Sequence, residues 1–436
     1  MWPYHPELLE TPVPRYTSYP TAADFGPIET SSLTHAIAGA QGDVSLYLHI
    51  PFCEKICYYC GCNTAAAGKR ARRDSYLRAL HREIETVASL LPGTSKVRRI
   101  AFGGGSPNAI EPSDFSDLVE ALQTQLHCSD AEYSVELDPR SMTREWGKVL
   151  RDVGVTRASM GVQTFAAHCQ KAIGREQSDA MICRTIDWLR DAGVSSINFD
   201  LMYGLPEQTE QDLSDTLEYA GLLGADRIAL FGYAHVPHIV PRQRMIPDQH
   251  LPGRDTRFTM AASGYDFLTS NGYQPVGFDH FAKPADPLAI AASQGTLRRN
   301  FQGFTDDPSP ALIGLGSSAI SAFPHLLAQN EKNSGRYRMQ AIAGQLTASH
   351  GIVRSPEDRL RADVIERLLC AGSVRLSPCL LRQVQDNLAP FIERGLATLN
   401  ALQLTITPDG LPYARTIAAL FDPYRAQTVR QFSAAI

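Results

Sequence analysis

From about residue 43 the chain alternates short β-branched and aromatic runs with longer stretches whose apolar positions recur at helical spacing. The runs Val44–Ile50, Val97–Phe102, Tyr133–Leu137, Arg157–Val162, Ser196–Leu201 and Arg227–Tyr233 predict strands, being rich in Val, Ile, Tyr and Phe. Between the first two, Asp74 predicts the cap of a helix whose inward stripe is Leu77, Leu80, Ile84, Val87 and Leu91, stopped by Pro92-Gly93. Ser113 predicts the start of a second helix with Phe115, Leu118, Val119, Leu122 and Leu126 on one side. Ser178 opens another, with Ile182, Ile186 and Leu189 inward and Gly193 as its stop. Thr209 and Asp212 resemble a capping box that lacks the usual Glu or Gln.

Repeated alternation of strand and helix implies parallel strands joined by right-handed crossovers. Spacing alone leaves two architectures open, a doubly wound sheet and an incomplete β/α barrel. Residues 1–42 read as an N-terminal arm, because Pro14–Ala22 (PRYTSYPTA) is too proline-rich for a helix. The region 43–240 is the α/β core. Residues 241–349 are irregular and loop-rich, a barrel extension with covering loops, and 350–436 is expected to be a mainly helical C-terminal domain.

Composition narrows the class. In 436 residues, 41 basic and 46 acidic side chains leave a net charge of −5, and apolar residues make up 44%. That balance argues against disorder and offers no electrostatic reason to expect nucleic acid as a partner. No apolar run approaches the ~18 residues of a membrane span. The opening MWPYHPELLETPVP is acidic and proline-broken, unlike a secretory signal, so the chain reads as cytoplasmic.

In that compartment cysteines suggest chemistry more than disulfides. Cys128, Cys169, Cys183, Cys370 and Cys379 are scattered and read as packing residues or inert thiols. Cys53, Cys57, Cys60 and Cys62 are clustered, and the first three form C-x3-C-x2-C directly after the first strand. Three thiolates on one loop can converge on a soft metal centre. A four-iron cluster with one open iron suits three cysteines best. A zinc site completed by Cys62 is the alternative, and a disulfide is a weaker one.

Other polar groups gather at strand ends, where parallel β/α folds bind ligands. Phe102-Gly103-Gly104-Gly105-Ser106-Pro107 follows the second strand and either lets backbone approach an anion or simply makes a tight turn; it is not a P-loop. Glu136 and Asp138 end the third strand, Gln163 the fourth and Asp200 the fifth, while Tyr233 and His235 follow the sixth. Arg175 could bind a carboxylate in forked fashion or be a solvated loop charge. The run Lys69-Arg70-Ala71-Arg72-Arg73 reads as a solvated loop before a helix, with attraction of an anionic substrate as the second reading. Tyr16 and Tyr19 are expected to pin the arm to the barrel.

Together these residues carry a resemblance. The cysteine loop with Tyr59 before its third cysteine, followed by the GGG-Ser-Pro turn, resembles the radical SAM enzymes. The ordered stretches PRYTSYPTA, LYLHIPFC, CYYCGCN, FGGGSP, VELDPR, SMGVQTF, GREQ, DLMYGLP, YAHVP, GFDHFA, RNFQG and GLGSSAIS, from about residue 14 to 321, are similar to the oxygen-independent coproporphyrinogen III oxidases.

The resemblance implies an incomplete (β/α)6 barrel whose 4Fe-4S cluster is held by Cys53, Cys57 and Cys60, with S-adenosylmethionine chelating the open iron. It implies room for two such molecules, contacted by Tyr47, Tyr59, Gly104, Gly105, Ser106, Glu136, Gln163, Arg175, Asp200, Ala234 and Ile320. Cys62 is implied to be catalytic without ligating iron. The implied reaction turns two propionates of coproporphyrinogen III into vinyl groups through a 5′-deoxyadenosyl radical, giving protoporphyrinogen IX. A cellular electron donor and acceptor and a monomeric state go with it, and Arg15 and Arg175 are candidate partners for the tetracarboxylate. Ser106, Gly174 and Phe304 depart from the common Thr, Asn and Tyr of the family. The rivals are a haem-binding chaperone, against which Cys62 and the arm count, a radical SAM enzyme acting on another tetrapyrrole, and a zinc-binding structural protein.

Overall fold

In the computed structural model, which describes residues 1–427, the expected strands lie side by side in chain order. They are β1 (Val44–Ile50), β2 (Val97–Gly104), β3 (Glu132–Leu137), β4 (Val155–Gln163), β5 (Ser196–Tyr203) and β6 (Arg227–Gly232), each parallel to the next. This order decides between the two architectures. A doubly wound sheet reverses its strand order at a switch point, whereas unbroken progression with right-handed crossovers keeps the helices on one face and curls the sheet. The protein is therefore α/β with an incomplete (β/α)6 barrel. The last residues of the expected C-terminal domain, 428–436, lie outside the described residues.

The sheet extends beyond the strands expected from sequence. β7 (Ala311–Leu315) pairs parallel with the free edge of β1, and Ile320–Phe323, Leu326–Asn330 and Ala348–Val353 continue antiparallel from it. Past β6, His280–Ala282 and Gln274–Val276 add two antiparallel strands, and at the opposite edge Gly26–Pro27 pairs antiparallel with Ala348–Val353, making a 13-stranded sheet open at both ends. These strands fall in the stretch read as loop-rich. All five residues of β7 are buried, so it lacks the alternation that marks a half-exposed strand.

The crossover helices are α1 (Arg70–Leu90), α2 (Pro112–Gln125), α3 (Arg144–Val153), α4 (Asp179–Asp191) and α5 (Glu210–Leu222), followed by α6 (Arg254–Ser270). Two start signals were misread. The cap of α1 is Lys69 rather than Asp74, so the basic run forms the first helical turn instead of a loop. Acids make this tolerable: Arg70 pairs with Asp74 at 2.6 Å and Asp114 at 2.9 Å, and Arg73 with Glu111 at 3.3 Å. The cap of α2 is Glu111 rather than Ser113, in a capping box with Asp114. At α5 the Thr209–Asp212 box forms as expected, with Asp212 reaching back to the Thr209 amide at 2.8 Å.

Leu77, Leu80, Ile84 and Val87 are buried in the α1 stripe, and the same helix carries a buried carboxylate, Glu83, at 1% exposure. Its Oε2 accepts from the Gly316 amide and the Tyr337 hydroxyl, both at 2.7 Å, and its Oε1 from Asn330 Nδ2 at 2.8 Å. Glu83 thereby ties α1 to the turn after β7 and to the helix Ser334–Ile342. Burial pushes its carboxyl up to about 7 against the pull of those donors. A raised carboxyl favours the folded state at low pH, and that contribution fades as pH rises from 4.5 through 7. Glu83→Gln removes the titration. The unfolding free energy of the variant relative to wild type should shift in the variant's favour by roughly 3 kcal/mol across this window. Denaturant midpoints at both ends of the window test this, and a constant difference would refute it.

The C-terminal region from the Ser355 cap onward contains helices Pro356–Ala371, Pro378–Glu393 and Ala414–Ala419 and a small antiparallel sheet. Tyr16 and Tyr19 pack into this region rather than onto the barrel as expected; the arm reaches the barrel through Arg15 on Gly232 O and Trp2 on Tyr265 of α6. Leu9, Val13, Tyr16 and Tyr19 share a core with Leu368, Leu388 and Phe421. Tyr16 donates to the buried Asp422 at 2.9 Å, and Tyr19 meets Tyr424 edge-on. The buried Asp422 carboxylate supplies the acceptor that the Tyr16 hydroxyl needs once it is out of water. Among the described residues no helix is long and apolar enough to cross a membrane.

Candidate active site

Cys53 ends a two-residue strand that pairs in parallel with Ala65–Ala66, closing the cysteine loop at its base. The loop is stitched to its surroundings by backbone bonds. The Tyr58 amide donates to Ile173 O at 3.0 Å, the Gly105 amide to Ile50 O at 2.8 Å and the Ser106 amide to Phe52 O at 2.7 Å. The cysteine loop and the glycine turn thus form one rigid rim at the carboxyl ends of β1 and β2.

The glycines are needed for close approach. A Cβ at Gly103 would fall 2.7 Å from the Glu136 carboxylate, one at Gly104 2.5 Å from the His49 ring, and one at Gly105 2.5 Å from Phe52 O. Gly104 also adopts φ +111°, and its amide donates to Glu136 Oε2 at 3.1 Å. These contacts show the tight-turn reading, with the glycines closing on protein atoms of β1 and β3.

Electrostatics separate the strand-end carboxylates into two kinds. Glu136 is pushed up to about 7 by burial, and the nearby Asp200 adds to the shift. Burial also raises Asp200, which accepts from Ser159 at 3.0 Å and Asn198 at 2.8 Å. Burial acts on Asp138 too, but Arg175 and Arg140 outweigh it and hold this carboxyl low. Arg140 pairs with it at 2.6 Å and Arg175 at 3.4 Å. Arg175 is therefore not a solvated loop charge: it also donates to Gly161 O at 2.8 Å and to Cys57 Sγ at 3.4 Å. Arg140 donates to the same sulfur at 3.4 Å. Asp138 braces this pair and is absent from the lining of the central cavity.

That cavity, about 530 Å³, is lined by Cys53, Cys57, Cys60, Cys62, Tyr59, Gly104, Gly105, Ser106, Glu136, Gln163, Arg175, Asp200 and Ala234. Tyr47 and Ile320 line a neighbouring cavity of about 660 Å³ instead. The two share Cys62, Gly104 and Glu136, so every expected cofactor residue lies on one of two adjoining spaces. Cys62 sits at the junction. Its thiol is pushed up by its hydrogen bond to Cys60, whose own pKa is drawn down to about 6 by that bond. Tyr233 also lines the central cavity, whereas His235 does not; His235 links Tyr233 at 2.8 Å to Asp248 at 2.7 Å.

Some participants had no sequence signal. Gln243 Nε2 donates to Tyr59 O at 2.8 Å and Ala234 O at 3.0 Å, holding two expected contacts in place. It lies in the short 3-10 helix Pro241–Met245, which no motif announces. Arg140 follows a strand end whose acids drew the attention, and only its pairing with Asp138 exposes its part.

The donor set fits an iron–sulfur cluster better than zinc. A tetrahedral zinc with bonds of about 2.3 Å draws its sulfurs to within about 4 Å of one another. Among the described residues, one group of three His, Cys, Asp or Glu donor atoms lies within 4.8 Å of one another, and it is His168, Cys169 and Asp212. The Cys53, Cys57 and Cys60 sulfurs do not all lie within 4.8 Å of one another, looser than a mononuclear zinc site draws its ligands. The His168 group lies apart from this cavity, with Asp212 committed to its capping box.

Fold and site together define a radical SAM enzyme, and residues 47–220 match the Radical SAM superfamily. Its cofactors are a 4Fe-4S cluster and S-adenosylmethionine. Over 430 residues the chain is 40% identical to the oxygen-independent coproporphyrinogen III oxidase of Bradyrhizobium diazoefficiens, covering 95% of each sequence. The Escherichia coli enzyme of that name is 37% identical over 440 residues, covering 97% of this chain and 96% of its own. A solved structure of coproporphyrinogen III oxidase from Escherichia coli, described as a radical SAM enzyme, matches with TM-score 0.89 and 35% identity, covering 97% of this chain and 99% of that one. The chain belongs to the family of oxygen-independent coproporphyrinogen III oxidases.

Proposed function

We propose that this chain converts two propionate side chains of coproporphyrinogen III into vinyl groups without oxygen, yielding protoporphyrinogen IX for porphyrin and haem biosynthesis. Each conversion removes a hydrogen atom from the β-carbon, one carbon dioxide and one electron. The observation that carries this reading is the convergence of the cysteine loop and the strand-end groups on two adjoining cavities, in a chain matching the family over nearly its full length.

Cys53, Cys57 and Cys60 would hold the cluster, and when bound, cluster and S-adenosylmethionine supply a 5′-deoxyadenosyl radical. The remaining roles belong to the chain. The Gly104–Ser106 backbone and Arg175 suit a ligand carboxylate, since amides and a guanidinium both donate. Glu136, Gln163 and Asp200 suit an ammonium and ribose hydroxyls. Tyr59 and Ala234, held by Gln243, would fix the ligand from the β6 side. Tyr47 and Ile320 would serve the second molecule in the neighbouring cavity. Cys62, at the junction of both spaces, is placed to act on reacting groups rather than on iron. The protein binds and orients these groups and keeps water out. A monomer drawing electrons from a cellular donor and passing them to a separate acceptor completes the proposal.

An anaerobic assay of reconstituted protein with reductant, S-adenosylmethionine, an electron acceptor and coproporphyrinogen III tests it. Both 5′-deoxyadenosine and protoporphyrinogen are expected. Deoxyadenosine without decarboxylation would move the substrate to another tetrapyrrole, and stoichiometric haem binding with neither product would favour a haem carrier.

A further inference from the structure

Beside the central cavity lies a second concentration of charge. Arg15 from the arm, Arg299 in the short strand Arg298–Asn300 and Arg415 on the helix Ala414–Ala419 converge near one carboxylate, Asp279, and Arg257 on α6 adds a further cation beside Arg15. Asp279 is itself engaged by His280 at 2.6 Å. No arginine forms an ion pair with it within 4 Å among the described residues. Three guanidinium nitrogens here are buried without a partner: Arg257 Nε, Arg299 Nη1 and Arg415 Nη1. The Arg415 side chain makes no hydrogen bond with any described residue and rests its guanidinium on the Phe278 ring at 5.6 Å. Burial, with Arg15 nearby, lowers its pKa to about 10. Cations taken out of water are costly unless balanced, and one carboxylate does not balance several guanidiniums, so a cluster held this way calls for a further anion.

The space for that anion is present. Arg15, Arg415, Asp279, Tyr203 and Phe278 line a cavity of about 60 Å³. A water's share of liquid is about 30 Å³, so a carboxylate fits and a macrocycle does not. Arg15 and Gly232 line both this cavity and the central one, and Arg15 Nη2 donates to Gly232 O at 3.1 Å. The small cavity is thus an annexe of the active site whose lining contains no cysteine and no residue of the glycine turn. Its geometry is rigidly set. Arg299 donates to the carbonyls of Tyr16 and Arg15, both at 3.1 Å, and stacks on Phe304 at 4.3 Å. The Phe304 ring in turn occupies the position a Cβ on Gly277 would take.

We propose that Arg15 and Arg415 clamp a propionate of the tetrapyrrole that is not being decarboxylated, with Arg299 holding the Arg15 backbone in place, and so set which side chain reaches the reacting centre. This rests on the tetrapyrrole reading above. The macrocycle then spans from the central cavity to the annexe, and these arginines are positioning residues for the reaction. The clamp joins the arm, the barrel extension and the C-terminal helix around one ligand group, which gives the arm's packing against the C-terminal region a purpose in substrate recognition.

The test is a fluorescence titration of the anaerobic holoenzyme with coproporphyrin III and with mesoporphyrin IX, which keeps two propionates but has no reactive ones. Arg415→Gln should weaken both by about tenfold or more, the worth of a lost charge-assisted hydrogen bond, and Arg415→Lys should recover part of it. In turnover, Arg415→Gln should form more 5′-deoxyadenosine per vinyl group than wild type, as a loosely held substrate wastes cleavage events. Equal affinity of wild type and Arg415→Gln for both porphyrins would overturn the clamp while leaving the function intact. So would wild-type binding of mesoporphyrin IX dimethyl ester as tight as that of the diacid. Should Arg415→Gln lose its near-ultraviolet circular dichroism, Arg15→Gln reads the same clamp from the arm. Wild type that binds no tetrapyrrole and makes no vinyl product would instead overturn the tetrapyrrole reading, and the clamp with it.

Discussion

Replacing Cys53, Cys57 or Cys60 singly by alanine is expected to reduce 5′-deoxyadenosine formation to background and to abolish the visible absorption of the reconstituted cluster. The three thiols sit on a loop fixed at its base by the Phe52–Cys53 strand and in its middle by the Tyr58 amide on Ile173 O. Cys62 lies on the same cavity beside Cys60, so its own variant is the necessary comparison. Cys57→Ala has a further consequence, because Arg140 and Arg175 both donate to its sulfur at 3.4 Å. Their charge then faces the cavity with Asp138 as its remaining partner. Cys62→Ala should behave differently: it keeps the cluster absorption and loses vinyl production. A Cys62 variant without the absorption would make Cys62 a ligand, and a Cys57 variant that still cleaved S-adenosylmethionine would remove the three-cysteine assignment.

The second large effect is expected at Gly105. An alanine there places its Cβ 2.5 Å from Phe52 O and 2.8 Å from Phe52 N, both backbone atoms that cannot rotate away. Overpacking of this kind typically costs about 1–3 kcal/mol, and here relief must come from moving either the glycine turn or the residue before Cys53. Gly105→Ala should therefore lose S-adenosylmethionine binding, measured by equilibrium dialysis, and lower the thermal midpoint. Gly93→Ala is the control, since nothing lies within 4 Å of a Cβ at that turn, and it should change neither. Unimpaired cofactor binding by Gly105→Ala would show that the turn is not the cradle.

Gly174 and Phe304, which depart from the family's usual residues, have structural accounts. Gly174 sits at φ +65°, a left-handed conformation that Asn also tolerates, with Tyr58 3.0 Å from where a Cβ would lie. Phe304 supplies the face on which Arg299 stacks, and a tyrosine offers the same ring.

What could be determined from the sequence alone was local or carried by ordered motifs. Strand β1, the Thr209–Asp212 capping box and the Ser178 cap of α4 depend on neighbours a few residues away, and each was legible. The cysteine loop and glycine turn were legible for the same reason. The misread helix starts at Lys69 and Glu111 depended on one another, because the acids of one terminus neutralise the arginines of the other across sequence. Tertiary structure alone decided the rest. Alternation left barrel and doubly wound sheet open and only the motif resemblance favoured the barrel; the pairing of β7 with β1, 267 residues earlier in the chain, is encoded by no local pattern. The bracing of Arg175 by Asp138, the hold of Gln243 on Tyr59 and the meeting of Arg15 with Arg415 arise in the same way. Each joins a polar side chain to a group distant in sequence, and burial in the folded chain sets its strength.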